Sequence, residues 1–139
     1  MEALNDFMNY LEKYLNAEPI MRRRIEHIKS SIEDGKALVE LTIQGKEPFT
    51  VELKERRFRI RSGPARVPLL SWSVPMNLLK QVLLGKAKIL YTLRDPACTL
   101  SFDTPNFTHW NGITALAVIL MAQELVKKDP VMKQLVENI

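Results

Sequence analysis

The sequence predicts an α+β domain, with helices packed on one face of a five-stranded, mainly antiparallel sheet. Three observations predict it. Period-two alternation of apolar residues fills the middle of the chain, from Lys36 to Arg61. Helical periodicity dominates the two ends, so strands cluster instead of alternating regularly with helices. Late in the chain, the run from Ile113 to Met121 has Thr114 as its one polar residue. Its apolar surface wraps right round, and a helix of that kind needs cover on several sides. The run is too short to span a membrane, which takes roughly 20 apolar residues.

The elements follow in order. Leu4, Phe7, Met8, Leu11 and Leu15 make one helical seam. Glu18-Pro19 opens a second helix with Met21, Ile25, Ile28 and Ile32 inward and Gly35 as its stop. Arg22, Arg23 and Arg24 fan around it, as a solvated face or a phosphate contact. Ala37, Val39, Leu41 and Ile43 then alternate with polar positions, as do Phe49, Val51 and Leu53, and Phe58 and Ile60. These are three strands of a meander, with a tight turn at Glu55-Arg56. Arg57, Arg59 and Arg61 fall on its polar face, as a solubilising strand or a binding patch. Pro68 limits a fourth strand to Leu69–Val74, and Pro75 starts a helix from Met76 to Leu84 that Gly85-Lys86 stops. The segment from Lys86 to Leu93 fits helix or strand equally. Cys98, Leu100 and Phe102 alternate in a last strand. Asp103-Thr104-Pro105 signals a helix start, with a break expected near Asn111-Gly112. Asp129-Pro130 repeats the signal for a final helix.

The 139 residues are 46% hydrophobic and 26% charged, with a net charge of +4. They suffice for one domain with a real core. The expected division is a helical extension over 1–34, a core over 36–128 and a C-terminal helix over 129–139. The start of the chain lacks the basic and apolar regions of a signal peptide, so a cytoplasmic location is the default expectation. One cysteine, Cys98, rules out an internal disulfide.

Catalytic patterns are missing. His27 and His109 are the two histidines, and no ligand-spaced cluster suggests a metal. A Cys98–His109 dyad has no local support. No serine sits in a Gly-x-Ser-x-Gly setting, and ungrouped glycines argue against a phosphate-cradling loop. Phe58 lies on the opposite strand face from Arg57 and Arg59, which disfavours a stacking platform for nucleic acid. What remains is apolar. Trp72, Phe102, Phe107, Trp110 and the helix from Ile113 to Leu125 collect in the second half, with Met76, Met121 and Met132 as adaptable side chains. This group suits either plain core or an apolar pocket.

The order of elements, with LLSWSVPMNLLKQVLLGKAK at its centre, resembles the sterol carrier protein family. The strand Leu69–Val74, the helix Pro75–Leu84 and Gly85-Lys86 occupy the family's places. The strand Cys98–Asp103 and the helical region from Pro105 correspond to its end. The resemblance covers about Ser31 to Val126. It implies a single sterol-carrier-like domain with a hydrophobic tunnel between sheet and helices, binding fatty acid, acyl-CoA or other lipid without catalysis or cofactor. By that resemblance the tunnel is lined by Trp72, Met76, Leu79, Leu83, Phe102, Phe107, Trp110, Ile113, Leu116, Ala117, Leu120 and Met121. The basic residues would meet an acyl headgroup or, transiently, an anionic membrane surface. The alternative is an interaction module whose apolar C-terminal helix mediates homodimerisation or binds another protein.

Overall fold

The alternation that begins at Ala37 builds a sheet with one apolar and one polar face. The structure, a computed structural model, describes residues 2–28, 37–107 and 109–139. Strands β1 (Ala37–Ile43), β2 (Phe49–Lys54) and β3 (Arg57–Ser62) form the expected meander, followed by β4 (Leu70–Val74) and β5 (Thr99–Phe102). Their spatial order is β3-β2-β1-β4-β5. Three neighbouring pairs are antiparallel, but β1 and β4 run parallel, so the sheet is mixed. The parallel pair arises because the chain leaves β3 at one edge and returns to the far side of β1.

Residues 63–69 make that crossing over the polar face. Thr50 Oγ1 donates to the Gly63 carbonyl at 2.7 Å, and the Ala65 N–H donates to Glu40 Oε2 at 2.8 Å. The Leu69 N–H then reaches the Ala37 carbonyl at 3.2 Å. This cover explains why Thr50 and Glu52 are buried on a face that reads as exposed. Glu52 meets Arg61 Nε at 3.4 Å. Arg57 and Arg59 remain exposed.

Helices α1 (Glu2–Ala17), α4 (His109–Lys128) and the sheet enclose the core. Every member of the α1 seam, Leu4, Phe7, Met8, Leu11 and Leu15, is buried. Helix α4 packs on β1 and β4 and touches α1, α2 (Pro19–Ile28), α3 (Met76–Leu83) and α5 (Pro130–Glu137). That is the several-sided cover its wrapped apolar surface demands. In α2, Met21 and Ile25 are buried; Ile32 and Gly35 lie outside the described residues. Asp129 caps α5 by accepting the Val131 N–H at 2.9 Å. No helix among the described residues is long and apolar enough to cross a membrane.

In the second half of the chain one open reading is decided and one expectation changes. The segment after Lys86 forms a 3-10 helix, Ile89–Arg94. The break before α4 falls earlier than Asn111-Gly112: a short 3-10 helix, Thr104–Asn106, follows β5, and α4 runs unbroken through Gly112. Gly112 is a packing glycine, because a Cβ there would sit 2.5 Å from the Phe107 ring.

The edge strand β3 is closed by side chains of α1. Asn16 Oδ1 accepts the Phe58 N–H at 2.8 Å, Asn16 Nδ2 donates to the Phe58 carbonyl at 2.9 Å, and Glu12 Oε1 accepts the Ile60 N–H at 2.7 Å. Unpaired edge groups invite pairing with other strands, and these bonds occupy them. The β2–β3 turn is held in the left-handed region at both central residues, Glu55 (φ 52°) and Arg56 (φ 64°). Such turns favour Asn-Gly, and non-glycine residues there cost of order 1–3 kcal/mol each.

Candidate ligand-binding site

The apolar faces of α1, α4 and the sheet meet imperfectly. Between them lies a cavity of about 50 Å³. Phe7, Met8 and Leu11 of α1 line it, with Val39, Leu41, Phe49, Val51 and Trp72 of the sheet. Leu79 and Leu83 of α3 and Val118, Ile119 and Ala122 of α4 complete it. Ligand pockets run to roughly 300–1,000 Å³, so the space where a tunnel is expected is small. Trp72 is buried beside it, and its indole Nε1 has no hydrogen-bond partner.

A larger space, with a mixed lining, lies outside. A groove of about 660 Å³ runs between the end of α3, the Gly85–Lys88 segment and the outer sides of α4 and α5. Leu83, Leu84, Ala87, Leu120, Met121 and Val126 form its apolar lining, and Lys88, Lys127 and Lys133 stand on it. Glu124 also lines it and is engaged by Lys128 at 3.3 Å. Leu83 is the residue common to groove and cavity. Beside the groove, the 3-10 helix Ile89–Arg94 leaves Leu90, Tyr91 and Leu93 exposed, with the Arg94 guanidinium 5.1 Å from the Tyr91 ring centre.

The sequence-predicted residues divide among three places. Trp72, Leu79 and Leu83 line the cavity; Leu83, Leu120 and Met121 line the groove. Phe102, Phe107 and Trp110 gather instead where β5 leads into α4. Phe102 and Phe107 meet edge to face at 4.7 Å, and Trp110 stacks on His27 of α2 at 4.3 Å with the rings 9° apart. Phe102 and Trp110 are 39% and 42% exposed, and Leu120 on α4 is 57% exposed. Met76, Leu116 and Ala117 pack with the core, and Ile113 is half-buried; none of these four lines either space. Sequence reasoning missed the α1 share of the cavity. The seam of Phe7, Met8 and Leu11 is plain in the sequence, but periodicity does not distinguish side chains that border a void from those that fill one.

Cys98 is buried just before β5, where burial and then the Asp95 carboxylate push its thiol above the ordinary range. The side chain of His109 lies outside those described, so the structure does not address the dyad. Among the described residues no His, Cys, Asp or Glu group converges on a metal position.

No protein-family model and no curated protein sequence matches this chain. Solved structures do. A structure described as sterol carrier protein 2 superposes with a TM-score of 0.57 at 13% identity, covering 86% of this chain and 95% of the other. A UbiJ-SCP2 ubiquinone synthesis protein gives 0.54 at 14% identity, covering 91% and 92%. A conserved hypothetical protein from Thermus thermophilus, described as a possible sterol carrier protein, gives 0.54 at 16% identity over 86% of each chain. Sheet, helix cover and these superpositions together give the chain the sterol carrier protein-like fold.

Proposed function

We propose that the protein binds an apolar chain with an anionic end, a fatty acid or its thioester, and carries it without catalysis. The observation that carries this reading is Leu83. It borders both an exterior groove of ligand size and an apolar cavity in the core, and in this reading its side chain is the partition between them. An acyl chain would lie along Leu120 and Met121, displace Leu83 and enter between α1 and the sheet. Burial drives this at roughly 25 cal/mol per Å² of apolar surface. Lys88, Lys127 and Lys133 would hold the carboxylate end at the groove. Exposed Leu90, Tyr91 and Leu93 beside Lys88 and Arg94 suit a brief approach to an anionic bilayer, where apolar side chains insert and cations meet headgroups.

A second reading rests on Leu120, whose exposure on α4 suits a contact with another copy of the chain. Native mass spectrometry of gently purified protein separates the two. A mass increment that solvent extraction identifies as a fatty acid or other lipid supports carriage. A ligand-free dimer that takes up no fluorescent fatty acid overturns it in favour of the interface.

A further inference from the structure

We infer that a second groove, at the C-terminal end of α1, is a binding site for a phosphoryl group. It lies between the last turns of α1, the helix α2 and the β2–β3 turn, and its volume is about 460 Å³. Lys13, Arg22, Arg56 and Arg57 line it against the single carboxylate of Glu26, leaving it about three charges positive. Among the described residues none of these five charges is in an ion pair, the pairs there being Arg61–Glu52 and Lys128–Glu124. Four cations around one groove repel one another, and an anion seated among them relieves that repulsion.

The groove is held in shape. Asn16, one of its lining residues, is bonded to both backbone groups of Phe58, which fixes α1 against the start of β3. Arg57 begins that strand, and Arg56 stands in the preceding turn at a left-handed φ of 64°. A glycine would suit that backbone better; an arginine there puts a guanidinium in the groove. Guanidinium forks match phosphate oxygens in pairs. A phosphate monoester carries about −1.5 to −2 charge at neutral pH, which fits this excess better than one carboxylate does. The site shares no lining residue with the apolar groove or the cavity, so it stands independently of lipid carriage.

The phosphoryl group can belong to a soluble organic phosphate or to a lipid headgroup, and one experiment distinguishes them. Isotope-labelled full-length chain is titrated with inorganic pyrophosphate. It is also mixed with phosphatidylcholine vesicles doped with phosphatidic acid, or with oleate at matched charge. Saturable amide shifts at Lys13, Arg22, Arg56 and Arg57 with pyrophosphate assign a soluble ligand. Capture by phosphatidic acid vesicles alone, without a pyrophosphate response, assigns a headgroup. Arg22→Gln should weaken either response about tenfold, the loss of one charged hydrogen bond. Arg56→Gly should weaken it as much while raising the melting temperature, because it removes the cation and relieves the turn. A merely structural arginine would not divide the two readouts in that way. No response to either phosphate, equal capture by oleate vesicles, or undiminished binding by both variants overturns the assignment.

Discussion

Replacing Leu83 by alanine tests the partition between groove and cavity. The side chain is buried and borders both spaces. The substitution removes three carbons, worth about 2.4 kcal/mol at about 0.8 kcal/mol for each buried methylene. A sealed void would add about 24 cal/mol per Å³. Here the new space opens towards the groove, so that addition is small and the total is about 3 kcal/mol. For a chain of this length each kcal/mol moves the midpoint by about 4 °C, which sets the expected fall at about 12 °C. The same carbons leave room for an acyl chain, so affinity for a fluorescent fatty acid should rise roughly tenfold. Leu83→Phe should reverse the binding effect by thickening the partition. Melting by circular dichroism and a fluorescence titration measure both quantities on the same samples. If the alanine variant loses stability as calculated but binds no better, and the phenylalanine variant binds no worse, the cavity is ordinary core and the route through Leu83 is wrong.

Gly112→Ala should destabilise by about 1 kcal/mol in chemical denaturation, since crowding Phe107 outweighs the roughly 1 kcal/mol helix gain; in a Phe107→Ala background the same change should stabilise. Asn16→Ala should cost about 2 kcal/mol, the penalty of stranding partly buried backbone groups, and should speed hydrogen exchange at Phe58 while leaving Val51 protected. Trp72→Phe should cost about 2 kcal/mol, the worth of the two buried ring carbons and the space they leave, because the indole N–H it removes makes no hydrogen bond; a loss well beyond that would mean that the group has a partner. Burial raises the Cys98 pKa, so its thiolate forms at higher pH than that of a free cysteine. Its alkylation in the native protein should therefore rise with pH later than a model thiol does, and unfolding should abolish the delay.

Much of the fold is legible in the sequence because burial on one face imposes a period. The meander, the α1 seam and the cap at Asp129 all follow from local patterns, and each is present. The parallel pairing of β1 with β4 is not local. It depends on residues 63–69 crossing the polar face, and nothing in their composition announces Ala65 bonding Glu40. The site divides in the same way. Trp72, Leu79 and Leu83 read as inward-facing and do border the cavity. Phe102 and Trp110 read as part of that group, yet neither lines the cavity: Phe102 meets Phe107 edge to face, and Trp110 stacks on His27. The basic groove is scattered over Lys13, Arg22 and Arg56-Arg57, so no single stretch displays it; the arginine run at Arg22–Arg24 hints at it without its partners.

The clasp of α1 on β3 also has a consequence for how the chain is made. Asn16 and Phe58 are 42 residues apart, and Glu12 and Ile60 are 48 apart. During synthesis the helix leaves the ribosome first and its amphipathic seam has no sheet to cover. When the meander emerges, the segment carrying the two side chains that satisfy its outer strand is already outside the ribosome. The guard is therefore translated before the edge it guards, and the interval in which a neighbouring nascent chain could add a strand there is short.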